Sequence, residues 1–396
     1  VLTERMEGVR SVSTGVWVRH GSAHDLEEAA GASHLLEHLV FKGTRKRTAR
    51  ELAVALEGLG GSLDAFTSRE HTSYQARVRD RHLPLALDVL SDLALHPLLG
   101  DEDLALEREV VLEEIAQVED TPDDLVFELH GARVWQGHPY GRSVLGTERT
   151  VASMDGDALR GLHAAAYRGR HLIVAAAGNV DHDAFVRLAQ EHFGGVAAGG
   201  APAPLAGPPP ESRSGDERVE RDTAQSHVVF GTLLPGHADP DRYALVLLST
   251  ALGGGMSSRL FQRIREELGL CYSVFTYQSF HSGGGVGGVY VGTRPPTEAR
   301  CVEAIREELG TVAASGLPAP ELQQVKQQVT GQVLLSLEST SARLYRLTGH
   351  ALHDEPFLAV DEVLARLEAV TEDDVARLAD RFLHPDRQLV LRLGPV

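Results

Sequence analysis

Apolar residues recur three and four apart over some stretches of this chain and alternate over others, which separates helices from strands. Thr48-Ala-Arg-Glu51 has the pattern of a capping box and Gly60 offers a stop, so a helix is predicted over 48–59. Ser62–Thr67 and Thr72–Arg79 alternate around the polar stretch 68–71, which predicts a hairpin. Helical spacing returns over Leu83–Leu95 and over 101–119. The same order comes again later: 258–275 reads as a helical run, Leu268-Gly269 and a strand, as 48–66 does around Leu59-Gly60. A second echo relates the helix-then-strand stretch containing Asp157 and Gly178 to the one containing Asp373 and Gly394, at one constant offset. Two echoes in the same order predict an internal duplication.

Between the repeats, 194–216 reads GGVAAGGAPAPLAGPPPESRSGD, with no aromatic and hardly a bulky aliphatic residue. That composition is a linker's, part polyproline-like and part flexible. The expected organisation is therefore a first domain over 1–193, a linker over 194–216 and a second domain over 217–396. Each should be α/β in the α+β sense: two tandem homologous domains, each a mainly antiparallel sheet packed with helices. The length of 396 residues also exceeds what one hydrophobic core usually serves.

Composition narrows the function. Acidic residues outnumber basic ones, 56 to 38, for a formal charge of −18. Phosphate binding needs clustered Lys and Arg, so nucleic acid is not expected as a partner. No window has the run of about 18 apolar residues of a membrane span, and the first fifteen or so residues lack a basic segment followed by an apolar one. Cys271 and Cys301 are the only cysteines, too few for a disulfide framework or a cysteine zinc cluster and suited to a reducing, cytoplasmic setting. The stretch Gly253-Gly-Gly-Met-Ser-Ser-Arg lacks a P-loop lysine and its spacing, and reads as a turn.

The chemistry concentrates at His34-Leu-Leu-Glu-His38. On a helix, positions i, i+3 and i+4 share a face, so His34 and His38 can grip one metal ion with Glu37 beside it. Zinc hydrolases need that combination: neutral imidazoles, an open coordination position and a carboxylate base. An amphipathic helix that happens to carry two histidines would look similar, but the flanks favour the metal reading: Leu35, Leu36 and Leu39 would pack the helix, Gly31-Ala-Ser leads in and Phe41-Lys-Gly-Thr44 leads out. A third protein ligand is expected. The segment 101–119 offers Glu102, Glu107, Glu109, Glu113 and Glu114, most of them a solvated acidic face. Glu107 and Glu114 lie two turns apart on nearly one side, so one could reach the metal and the other orient a histidine. Spacing alone does not choose among them.

His34-Leu-Leu-Glu-His38 is the inverted zinc motif of inverzincins. With Phe41-Lys-Gly-Thr44, the stretch 60–74 and the block Glu107-Arg-Glu-Val-Val-Leu-Glu-Glu-Ile115, the sequence resembles the insulinase/pitrilysin peptidase family, in its short two-domain branch near the mitochondrial processing peptidases. Gly137-His-Pro-Tyr-Gly-Arg-Ser-Val-Leu-Gly146 and Ala177-Gly-Asn-Val180 extend the likeness over essentially the whole chain. The resemblance implies Glu114, 76 residues after His38, as the third ligand of one zinc ion per chain. It implies Glu107 as the carboxylate behind the ligands and Glu37 as catalytic base. The later run 257–274 is similar to the family's Arg-x6-Tyr element and implies that Arg265 and Tyr272 act on the substrate's carbonyl; from the residues alone they would be a helix-surface cation and a strand residue. Asp64, Ala65 and Phe66 match the family's substrate-binding strand, but the family has Asn where Asp64 stands, and an ionised Asp cannot donate a hydrogen bond. The second half carries no H-x-x-E-H and should hold no metal. His71, His130, His138 and His163 lack metal spacing and are expected to be structural or exposed.

The resemblance thus implies a zinc-dependent endopeptidase acting on peptides or unfolded polypeptides bound as an added β-strand in a closed chamber. A catalytically silent scaffold or binding subunit of the same family is the alternative, opposed by the intact set His34, Glu37, His38 and Glu114. A small-molecule zinc enzyme of the S-ribosylhomocysteine lyase kind is opposed by length and cysteine placement. Longer family members join two such units, with zinc in the first and the Arg/Tyr pair in the second. A homodimer with sites in trans is therefore expected, or a heterodimer with an inactive homologue, its acidic interior favouring cationic extended peptides.

Overall fold

A computed structural model describes residues 1–203, 205 and 207–395. The first sheet comprises β1 (Leu2–Arg5), β2 (Ser11–Val18), β3 (Ser62–Thr67), β4 (Thr72–Arg79) and β5 (Leu172–Gly178), in the order β1-β5-β2-β4-β3. The second comprises β6 (Gly215–Glu220), β7 (Ser226–Leu234), β8 (Cys271–Phe280), β9 (Gly285–Thr293) and β10 (Leu389–Gly394), in the order β6-β10-β7-β9-β8. The orders are the same when strands are matched in chain order, so the duplication read from the sequence is a duplication of topology. In each sheet the first strand pairs in parallel with the last and the other pairings are antiparallel. The fold is mixed α/β, two tandem repeats of a five-stranded sheet packed with helices.

Helices cover the sheets because the central strands β2, β5, β7 and β10 are buried on both faces. In the first repeat, α1 (Ala32–Val40), α2 (Ala49–Glu57), α3 (Leu83–Leu95) and α4 (Asp101–Asp120) supply Leu35, Leu36, Leu39, Leu52, Leu87, Leu90 and Val111 to a core that meets Val12, Val16 and Tyr74 of the sheet. The two strands of the predicted hairpin and α3 have the expected bounds. Helix α2 carries the predicted capping box, with Thr48 accepting from the Glu51 amide, but ends at Glu57 with Gly58 as its cap. Gly60, at φ +74°, turns the chain afterwards into β3. Helical structure over 258–267 also departs from expectation: Phe261–Glu267 is π-helical, with the Leu268 amide bonding the Arg263 carbonyl.

The compact units are not the two contiguous stretches that the linker suggested. One unit comprises Val1–Gln117, Arg142–Leu205 and Ser336–Phe357; the other comprises Val118–Gly141, Ala206–Leu335 and Leu358–Val396. Helix α5 (Pro122–Val134) sets Leu125 and Val126 on Val229, Tyr290, Leu391 and Leu393 of the second sheet. The helix Thr340–Leu352 sets Leu344 and Leu347 on Trp17, Ile173, Ala175 and Ala177 of the first. Each repeat gives a helix to the other repeat's sheet, because a sheet buried on one face by its own helices still needs cover on the other. Ser13, buried in β2, satisfies its hydroxyl on Thr340 at 2.8 Å and Ser341 at 3.0 Å. The expected linker 194–216 is shorter than predicted, since Gly215 and Asp216 start β6; Pro204 and Ala206 within it lie outside the described residues. No helix among the described residues is long and apolar enough to cross a membrane.

Candidate metal centre

Gly31 precedes α1 in the left-handed region, φ +93°, and a Cβ there would lie 2.5 Å from the Leu145 carbonyl oxygen. Only glycine suits that position. At the helix N-terminus, Asp25 accepts from the Ser33 amide at 3.2 Å and the Ser33 hydroxyl at 2.6 Å, an anion where the helix dipole favours one. The helix then buries Leu35, Leu36, Leu39 and Val40. His34, Glu37 and His38 are left on the opposite, half-buried face, with the two imidazole centroids 4.7 Å apart.

Helix α4 brings two of its five candidate glutamates to that face. Glu102, Glu109 and Glu113 are exposed, so for them the solvated face is the right account. Glu114 approaches both imidazoles: its Oε2 is 3.6 Å from His34 Nε2 and its Oε1 3.7 Å from His38 Nε2. Glu107 is buried and meets the far side of His38, Oε2 to Nδ1 at 3.0 Å, while its Oε1 takes Lys42 Nζ at 2.5 Å. An ionised carboxylate only accepts, so His38 Nδ1 carries the hydrogen of this contact and Nε2 is the ring nitrogen that faces Glu114. Burial, and then the neighbouring His38, push the His34 imidazole down to about 4, which leaves it neutral near pH 7.

A metal ion fits these atoms. One ligand atom from each of His34, His38 and Glu114 can be chosen so that all lie within 4.8 Å of one another, the one such group among the described residues. Glu114 Oε2 is buried without a hydrogen-bond partner. The nitrogen–oxygen separations exceed a hydrogen bond and are near the edge of about 3.3 Å of a tetrahedron with bonds of about 2 Å. Two imidazoles and one carboxylate are the donor set of a catalytic rather than a structural zinc site.

Glu37 stands beside this cluster. The Thr67 hydroxyl, at the end of β3, donates to its Oε2 at 2.5 Å. Burial raises its pKa above the ordinary carboxylate range, against the lowering by Thr67 and His38, and the Glu114 charge raises it further. Alternation along β3 turns Leu63 and Ala65 towards the core and Asp64 and Phe66 outwards. β3 pairs with β4 on one side and is the last strand of its sheet. Neither Thr67 nor Lys42 was singled out by sequence reasoning; the inward parity of Thr67 after Leu63 and Ala65 is the signal that could have found it.

Arg265 and Tyr272 belong to the second unit. The Arg265 guanidinium stacks on both Phe261 and Tyr272, 4.6 Å from each ring centroid, beside a pocket of about 280 Å³ lined also by Met256 and Phe275. Tyr272 is 78% exposed. The four other histidines weighed in the sequence each have a local hydrogen bond: His130 bonds the Leu389 carbonyl at 3.1 Å, His163 the Ala94 carbonyl at 2.8 Å, His71 the Ser68 hydroxyl at 3.0 Å, and His138 accepts from the Tyr140 amide at 3.2 Å.

Known proteins share this architecture. Residues 1–148 match the family described as insulinase (peptidase family M16), and residues 153–329 the one described as peptidase M16 inactive domain. A Streptomyces coelicolor protein named an uncharacterized zinc protease is 42% identical over 387 residues, covering 96% of this chain and 84% of that protein. A Bacillus subtilis protein of the same description is 38% identical over 393 residues, 99% and 95% of the two chains. Among solved structures, a peptidase M16 inactive domain from Pseudomonas fluorescens superposes with a TM-score of 0.92 at 20% identity, over 100% of this chain and 95% of that one. A protease from Helicobacter pylori superposes at 0.90 and 21% identity, over 98% and 95%. This chain belongs to the insulinase, or M16, family of zinc-protease-like proteins.

Proposed function

We propose that the chain is a zinc-dependent endopeptidase that hydrolyses peptides or unfolded polypeptides bound as an added β-strand. The observation that carries this reading is the convergence of His34, His38 and Glu114 on one point beside the half-buried carboxylate of Glu37. Zinc in such a site, one ion per chain, polarises a carbonyl oxygen and makes water acidic enough to lose a proton near neutral pH. Glu37 is the group placed to take that proton and to return it to the leaving amine. Glu107, held by Lys42, keeps the His38 ring turned with Nε2 inward. An extended peptide pairs with the free edge of β3 by main-chain hydrogen bonds, which accept any sequence. Asp64, exposed on that strand and acceptor-only when ionised, favours peptides that present donors or positive charge.

Arg265 and Tyr272 serve as donors to the oxyanion that forms at the scissile carbonyl. In this reading they come from the partner in a two-fold homodimer whose chamber is closed and acidic. A heterodimer with an inactive homologue is the competing assembly. Cleavage of a random peptide library with and without chelator, read by mass spectrometry, tests the activity. Chelator-sensitive cleavage absent from Glu37→Gln supports it, and a chain that binds peptides but cuts none would be the silent subunit instead.

A further inference from the structure

We propose that Thr67 is a positioning residue that pins one carboxylate oxygen of Glu37 and thereby aims the other at the reacting water. The role rests on the reading of Glu37 as the base. Thr67 closes β3, opposite Thr72 in the last rung of the β3–β4 ladder, so its backbone is held from one side. Its side chain takes the third inward position after Leu63 and Ala65, and it is the one of the three that is polar. There Oγ1 lies 2.5 Å from Glu37 Oε2 and 3.4 Å from Thr72 Oγ1. Thr72 already donates its single hydroxyl hydrogen to the His20 carbonyl at 3.0 Å. The one hydrogen of Thr67 is thus available to Glu37, and an ionised carboxylate accepts it.

The terminal torsion of a glutamate is broad, so a carboxylate with no fixed partner swings between orientations. Thr67 removes that freedom, and χ1 of a β-branched residue is itself stiff. With Oε2 occupied, Oε1 is the oxygen left to move a proton. The strand that would receive the substrate and the group that orients the base are then one element. A peptide seated on β3 is automatically registered against Glu37, a positioning effect rather than a charge effect.

A purely mechanical tie between α1 and β3 would also use this contact, and the variants separate the two. Thr67→Val keeps shape and β-branching and removes the hydroxyl; Thr67→Ser keeps the hydroxyl. With the zinc-loaded full chain and fluorescently labelled casein, Thr67→Val should lower kcat by roughly 10- to 100-fold, the scale of misplacing a catalytic group. KM and zinc affinity, the latter from competition with a chromogenic chelator, should stay within about two-fold. Thr67→Ser should recover kcat to within about three-fold of wild type. The role is overturned if Thr67→Val keeps wild-type kcat, if Thr67→Ser is as impaired as Thr67→Val, or if the loss follows zinc affinity or the unfolding midpoint. Should Thr67→Val fail to fold, the Ser variant against Thr67→Ala carries the same expectation. A wild-type chain that cleaves nothing overturns the peptidase reading and this role with it, whereas active wild type with equally active Thr67→Val overturns only the role of Thr67.

Discussion

Glu37 is useful as a base only if it keeps its charge in a place that burial makes unfavourable for charge, and only Thr67 and His38 offset part of that cost. Thr67 and His38 favour the ionised form while desolvation and Glu114 oppose it. Glu37→Gln preserves shape and hydrogen-bonding reach but not basicity. It should retain wild-type zinc content by elemental analysis and lose at least about 100-fold in peptide turnover. Removing both imidazoles with His34→Ala and His38→Ala should abolish stoichiometric zinc, measured the same way. Glu107→Gln spares every proposed ligand but weakens the hold on His38 and leaves Lys42 without its counter-charge. Zinc affinity measured by chelator competition should fall by roughly 10- to 100-fold, as for other groups behind a ligand. At this scale the motif was legible because helical periodicity alone puts His34, Glu37 and His38 on one face. The choice of Glu114 over Glu102, Glu109 and Glu113 came from family likeness, since all four share one helix and spacing is blind to which side meets α1.

The helix Thr340–Leu352 was not singled out from the sequence, and its destination could not have been. It is amphipathic, burying Leu344 and Leu347, but an apolar stripe does not encode which sheet it covers. Leu344, 1% exposed, sits against Trp17 and Ile173 of the first sheet. Truncation to Ala there leaves a cavity and should cost about 2–4 kcal/mol, read from the urea midpoint at constant slope. Leu335, on the preceding helix and 69% exposed, is the control, with an expected change within about 0.5 kcal/mol. The π-helical turn Phe261–Glu267 was equally hidden. Ile264 is buried in the core there, and the pattern of apolar positions does not tell a run with i+4 bonds from one that widens to i+5.

For the molecule as a whole, buried histidines set a pH limit. His130 is 1% exposed in the second unit, with Arg133 and Glu217 as its charged neighbours, and burial lowers its pKa from 6.5 to about 4. Between those values the unfolded chain binds a proton that the folded chain refuses, so stability falls as pH drops through that window and the loss is complete below about 4. The full shift corresponds to about 3 kcal/mol. Urea unfolding from pH 7 to 4.5, in chelator to remove metal linkage, should show this decline, and His130→Gln should make it shallower without abolishing it, because burial also lowers the pKa values of His24, His34 and His71 to about 4. Assembly is testable by mixing. Under subunit exchange, inactive Glu37→Gln and inactive Arg265→Ala chains should regain activity if sites form in trans, because mixed dimers then hold one intact site. Confirmed mixed dimers that stay inactive would exclude the trans arrangement, and activity gained only with a second protein would favour the heterodimer.

Local features were determined by the sequence itself: the capping box at Thr48, the β3–β4 hairpin, the histidine pair on α1, and the duplication marked by Gly178 and Gly394. Each depends on residues within a turn or two of one another, or on an echo that composition preserves. The exchange of α5 and Thr340–Leu352 between the repeats, the hydrogen bond from Thr67 to Glu37, and the shielding of Glu107 by Lys42 were decided only by tertiary structure. They depend on which apolar face finds which sheet and on which polar atoms are thereby shut away from water, and no local pattern carries that information.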